Sequence, residues 1–215
     1  MTARRASGPT GGPRPHLRVV DGGGGPDDAE VARRLQAQDP SAPALLMDRF
    51  GALVDRVLRR ILGDSPDHDD RVQETFLEVL RTVRALRDPS AFKAWVTTIA
   101  VRVARAELRR RRVRRLFTLW SPVELPEVAH DDDHPGREEL RAVFRILDEL
   151  PTEDRIAFAL RVLHGEELTE VARLAGCSLA TAKRRIARAE ATFRARAADI
   201  PALAARLRVR DEEAP

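Results

Sequence analysis

Apolar residues recur every three or four positions along much of this chain. Leu46, Phe50, Leu53, Val57 and Ile61 form one stripe; Val72, Phe76, Val79, Leu80, Val83 and Leu86 form a second; Phe92, Val96, Ile99 and Val103 form a third. This spacing puts each set on one face of an α-helix, and nowhere does the chain alternate as a half-buried strand would. Ser41 stands before Pro43, Ser65 before Pro66 and Asp88 before Pro89, each a capping side chain followed by a proline suited to a first helical turn. The pattern predicts helices near 28–38, 42–62, 66–86 and 89–113, which pack as a first domain over residues 27–115.

From Leu116 to Gly136 the pattern lapses. Prolines at 122, 126 and 135 interrupt it, and Glu124, Glu127, Asp131, Asp132 and Asp133 make it acidic, so residues 116–136 read as an extended linker. Helical spacing resumes near 137–149, 153–164, 170–175 and 179–198, giving a smaller second domain over 137–198 and a short polar tail over 199–215. Residues 1–26, with four consecutive glycines from Gly22, carry too little apolar surface to offset the entropy of ordering and read as a disordered leader. The fold class expected is all-α: two small helical domains joined by a flexible acidic linker.

Chemistry enters with the charges. The net charge is only +4, but 36 of the 38 basic residues are arginine, leaving Lys93 and Lys183 as the lysines. A GC-rich genome inflates arginine throughout, so only its placement is informative. Arg102, Arg105, Arg109, Arg110, Arg111, Arg112, Arg114 and Arg115 crowd the end of the fourth helix, opposed by Glu107. Spacings of three and four line up Arg102, Arg105, Arg109 and Arg112. A helix C-terminus accounts for some positive charge but not eight arginines, so a phosphate-tracking surface is expected. On the helix before it, Asp69, Asp70, Gln73, Glu74, Leu77 and Glu78 make an acidic strip with one exposed leucine, suited to a basic protein partner.

In the second domain, Glu170 to Leu179 reads as helix, tight turn, helix. Gly176 supplies the left-handed conformation that ends the first helix, and Ser178 caps the next. Leu179, Ala182, Ile186, Ala189 and Phe193 form the face expected to be buried, opposite Thr181, Lys183, Arg184, Arg185 and Arg188. This is a helix-turn-helix arrangement, in which Ser178, Ala180, Thr181, Lys183 and Arg184 meet base edges and Arg188 joins them on the DNA-binding side.

These residues carry a family resemblance. Asp69-Asp70-Arg71-Val72-Gln73-Glu74-Thr75-Phe76-Leu77 resembles the region 2 helix of extracytoplasmic-function (ECF) sigma factors of bacterial RNA polymerase. Ala91 to Ala100, with Phe92, Trp95, Ile99 and Ala100, resembles the segment that follows it. Leu150-Pro151 through Arg161, Gly165 to Leu168 and Thr181 to Ile186 resemble region 4. The likeness covers about residues 29–113 and 138–197, in the family's order.

The resemblance implies promoter-specific transcription initiation, with −10 recognition and melting by the first domain and −35 duplex binding by the second. Asp69, Asp70, Gln73, Glu74 and Leu77 would bind polymerase, Asp70, Gln73 and Glu74 docking on the β′ coiled coil. Residues 85–91 would capture a flipped base, and Arg87, Lys93, Trp95, Arg102, Arg105 and Arg109 would hold the −10 strand. Core RNA polymerase (β′ and β subunits), promoter DNA and an anti-sigma factor are the implied partners, with no cofactor and no small-molecule substrate. The chain departs from the family at Arg71 (usually leucine), Arg102 (asparagine), Ala106 (aspartate) and Ala182 (valine). It has no tyrosine, so base stacking is sparse.

Other classes fit less well. No glycine-rich phosphate loop, nucleophile elbow or catalytic pair stands out, so no enzyme is expected. His130 and His134 flank Asp131 to Asp133, but between prolines this reads as a solvated charge run and not a metal site. The lone cysteine, Cys177, excludes an internal disulfide, and no apolar run reaches the roughly 20 residues of a membrane span. A cytoplasmic protein is expected. The alternative function is a helix-turn-helix transcriptional regulator that does not load onto polymerase.

Overall fold

A computed structural model describes residues 27–118, 137–201 and 203–205. The leader, the linker from 119, including His130 and His134, and most of the tail lie outside the described residues. Among the described residues the fold is carried by the helices α1 (Asp28–Gln36), α2 (Ala42–Leu62), α3 (His68–Thr82), α4 (Phe92–Thr118), α5 (Arg137–Glu149), α6 (Thr152–Phe158), α7 (Leu168–Ala175) and α8 (Leu179–Ala198). No strand occurs among the described residues.

The sequence pattern locates these helices, and the differences have local causes. The helix expected over 66–86 ends at Thr82 and tightens into a 3₁₀ turn, Val83–Ala85. Asp88 caps a second such turn, Pro89–Ala91, by accepting from the Ser90 amide at 3.0 Å, and α4 begins only at Phe92. At its far end α4 runs on through 116–118, residues the pattern assigns to the linker. Arginine is a good helix former, and Glu107 pairs with arginines one and two turns later, so the run sustains the helix. The helix expected over 153–164 passes into a π-turn, Ala159–Leu163. The expected polar tail starts by packing instead: Leu203 is buried against Ala142, Ile146 and Ala197, which spares it from water.

Helices α1–α4 enclose the first core, with Leu46, Phe50, Leu58, Ile61, Phe92 and Ile99 buried. The Phe92 ring meets Phe50 edge-on at 5.1 Å and stacks on Trp95 at 5.9 Å. Helices α5–α8 form the second unit, with Phe158 stacked on Phe193 at 5.3 Å. The two units are not separate. One apolar cluster runs from Val31 through Leu108 into Ile156, Leu160, Leu174 and Ile186. Gly63 ends α2 at φ 76°, and a Cβ there would stand 2.8 Å from Cδ1 of Phe144, so glycine lets α5 approach.

Candidate nucleic-acid and protein interfaces

Helices α3 and α4 pack with an open groove of ≈ 570 Å³ between them, lined by Asp70, Arg71, Gln73, Glu74, Leu77, Glu78, Arg81, Arg102, Val103 and Ala106. The buried side of α3 is Thr75, Phe76 and Val79, which turns Gln73 and Leu77 outward. Leu77 is 59% exposed, a large apolar side chain held in water at the centre of a polar strip. Asp70 and Gln73 are exposed with no hydrogen-bond or ion-pair partner among the described residues. Asp69 is exposed beside them, outside the groove lining, and with Asp70 it also complements the α3 N-terminus. Glu74 is engaged: Arg71 and Arg110 both reach its carboxylate.

Arg71 marks the departure from the family pattern, and its role is structural. It lies 3.7 Å from Glu107, which is 2% exposed and also meets Arg110 (3.1 Å), Arg111 (3.1 Å) and Arg114 (2.8 Å). Burial pushes the Glu107 pKa up, but the Arg111 hydrogen bond and the charges of Arg111, Arg114 and Arg110 outweigh it and hold the carboxyl below its usual value.

The 85–91 segment is clamped from α1. The Gln36 side-chain amide donates to the carbonyls of Val83 (3.2 Å) and Leu86 (2.7 Å), a pair of contacts that the sequence pattern gives no means of finding. Arg87 and Lys93 are exposed on either side of this turn, and Trp95 is half-buried against Phe92. The arginine stripe of α4 divides. Arg102 lines the α3 groove, whereas Arg105 and Arg109 point to the other side, where Glu153 of α6 stands 3.0 and 3.2 Å from them.

In the second unit the turn has the geometry the sequence implies. Gly176 sits at φ 65°, ψ 44°; its amide donates to Arg173, and the Cys177 amide to Ala172, which closes α7 in a Schellman motif. Ser178 caps α8 by accepting from the Thr181 amide at 3.2 Å, and the two hydroxyls lie 2.9 Å apart. Ser178, Ala180, Lys183 and Arg184 are exposed around the start of α8, and Thr181 is half-exposed.

Two expectations for α8 are corrected. Ala182, Ile186 and Ala189 are buried and Phe193 is partly so, but Leu179, the first residue of α8, is 41% exposed. Arg185, expected on the open side, turns inward to 3.4 Å from Glu153. Arg188 donates through Nε and Nη2 to buried Asp154 at 2.9 and 2.7 Å, tying α8 to α6. Glu153, Asp154 and Arg155 were not among the expected site residues. In sequence, Glu153 and Asp154 are first-turn acids, a pattern that helix dipoles alone explain.

Comparison with known proteins agrees with this arrangement. Residues 46–114 match the family model for Sigma-70 region 2, and residues 140–193 match that for Sigma-70, region 4. The chain is 32% identical over 174 residues to the ECF RNA polymerase sigma-E factor of Escherichia coli K12, covering 75% of this chain and 90% of that protein. The ECF RNA polymerase sigma-E factor of Haemophilus influenzae is 32% identical over 172 residues, with the same coverage. Among solved structures, CnrH in complex with the cytosolic domain of CnrY matches with a TM-score of 0.55 at 25% identity, over 78% of this chain and 95% of that one. The sigma factor RpoE in complex with the anti-sigma factor NepR from Bartonella quintana shares the fold, with a TM-score of 0.56 at 20% identity, over 73% of this chain and 96% of that one. The helix-turn-helix of α7 and α8 is thus region 4, the α3–α4 groove belongs to region 2, and the chain is a member of the ECF family of RNA polymerase sigma factors.

Proposed function

We propose that the two domains divide promoter recognition as the order of their faces suggests. The α3 strip of Asp69, Asp70, Gln73, Glu74 and Leu77 docks core polymerase at the β′ coiled coil. The α3–α4 turn and α4, through Arg87, Lys93, Trp95, Arg102, Arg105 and Arg109, take the separated −10 strand. The α8 N-terminus, through Ser178, Ala180, Thr181, Lys183 and Arg184, reads the −35 duplex in the major groove, and Arg188, which also ties α8 to α6, joins them on the DNA-binding side. A duplex element is legible to a helix, whereas a melted one needs a basic surface for single strand. The reading includes no enzymatic activity, an anti-sigma factor as a further partner and a cytoplasmic location. No helix among the described residues is long and apolar enough to cross a membrane.

The observation that carries this reading is a pair of exposed faces on different units. One is acidic with a bare leucine, and the other is a capped helix start bearing Lys183 and Arg184. A regulator that never meets polymerase accounts for the second and leaves the first idle. The test separates them. Gln73→Ala with Glu74→Ala is expected to weaken core-polymerase affinity about tenfold or more and leave duplex binding intact. Lys183→Ala with Arg184→Ala is expected to do the reverse, and to flatten the salt dependence of duplex binding. Unchanged polymerase affinity in the first variant removes the strip from the docking surface.

A further inference from the structure

We propose that Gln36 is a positioning residue for −10 recognition: from α1 it sets the shape of the turn that captures the flipped base, and so which base is preferred. The inference rests on the reading of residues 85–91 as that turn.

The turn is held at two points. At its near end the Gln36 side-chain amide donates to the carbonyls of Val83 (3.2 Å) and Leu86 (2.7 Å). The Val83 carbonyl also accepts from the Leu86 amide at 3.0 Å, which closes the 3₁₀ turn. Leu86 leaves that turn in an extended conformation, φ −71° and ψ 114°, so its own carbonyl has no place in a helical ladder. Among the described residues that carbonyl takes its hydrogen bond from Gln36 and from no backbone amide. At the far end Asp88 organises the chain locally. Its carboxylate accepts from the Ser90 amide (3.0 Å) and hydroxyl (2.8 Å), and its carbonyl accepts from the Ala91 amide at 3.1 Å. One residue, Arg87, stands between the two fixed points, and its side chain is exposed. The far anchor belongs to the turn itself, whereas the near one comes from 47 and 50 positions earlier in the chain. Gln36 therefore orients Arg87 and Ser90 relative to the core.

The end of α1 is built to hold that side chain still. Val31, Ala32 and Leu35 are buried, which fixes the helix against the core. The helix then closes at Gln38 with φ 60°, a left-handed conformation that residues other than glycine rarely adopt. There the Gln38 amide donates to Leu35 (3.1 Å) and the Asp39 amide to Arg34 (3.0 Å), a Schellman closure made without its glycine. Backbone strain of this kind persists where the surrounding structure over-determines it. Here it accompanies a last turn of α1 that packs against both 3₁₀ turns.

A plain tether and a positioning residue differ in what they change. A tether alters how much folded protein is present, and so scales transcription from every template alike. A positioning residue alters the ratio between templates. The test is transcription by core polymerase carrying the full chain, on templates randomised across the −10 element. Gln36→Met keeps the length of the side chain and removes the donor. The expected effect is a fall of about fivefold or more in base preference at one −10 position, with core-polymerase and −35 duplex affinity unchanged within about twofold. Gln36→Lys keeps a donor and is expected to retain most of the preference. Arg87→Ala with Ser90→Ala, in the turn itself, is expected to act at the same position. Wild-type preferences in Gln36→Met, while the turn variant shifts them, overturn the role of Gln36 and leave the turn as the base-capturing segment. A uniform loss on all templates also overturns it, by showing a tether. So does an equal loss of preference in Gln36→Met and Gln36→Lys, because the donated bonds then do not set the turn. Wild-type preferences in every variant overturn the reading of residues 85–91, and the proposal with it.

Discussion

His164 is one residue through which acid acts on this fold. It is largely buried at the junction of the two units, where Arg60 of α2 donates to its Nδ1 at 3.0 Å. Burial, with the charges of Arg60 and Arg56 added, lowers its pKa from 6.5 to about 4; Glu166, 3.3 Å from Nε2, does not reverse this. The folded state thus refuses a proton that the unfolded chain accepts. The contribution of this site is whole above pH 6.5 and is lost progressively as pH falls towards about 4. Thermal unfolding is expected to show a midpoint that drops from pH 7 to pH 5, with a smaller drop in His164→Gln, whose amide can still accept from Arg60. An equal drop in both proteins would place the acid sensitivity elsewhere. Glu107 is shifted in the same direction by a different cause, a carboxylate kept charged inside a fan of arginines, and it pairs with Arg110 and Arg114 as they leave α4.

At the scale of elements, the helix-turn-helix depends on one backbone conformation. Gly176 lies at φ 65°, and nothing stands within 4 Å of where a Cβ would go, so substitution there is a matter of backbone strain alone. Gly176→Ala is expected to cost about 1–2 kcal/mol in urea unfolding and to weaken duplex binding by loosening the start of α8. A neutral result would mean that the Schellman closure, and not the glycine, sets the turn. The turn of this motif was legible in the chain, because a glycine stop followed two residues later by a serine cap marks the end of one helix and the start of the next. The stripes of α2 and α4 were legible from their period alone, as was that of α3 apart from Leu80, which is exposed. The π-turn at Ala159–Leu163 and the inward turn of Arg185 were not, since both are set by what packs against them and not by local preference.

For the whole molecule, the division into two domains was readable from the proline-rich, acidic break between them, but their embrace was not. Nothing in Glu153 or Arg155 as letters distinguishes a contact between the two units from an ordinary helix start. Their meaning comes from Ile61, Leu62, Arg105 and Arg109, which lie far off in the chain. Residues 69–77 pointed correctly to the exposed face of α3, because a helix with one buried side must turn the other outward. The same logic placed Lys183 and Arg184. It could not tell that Arg105 and Arg109 pair with Glu153.

A sigma factor of this family is expected to give core RNA polymerase its promoters. The most direct measurement is transcription by purified core polymerase, with and without the protein, on a library of candidate upstream regions. Protein-dependent transcripts with defined start sites, sharing elements at −35 and −10 upstream, are expected. Silence on every template, with a control sigma factor active on the same core and no binding of this chain to that core, would contradict it.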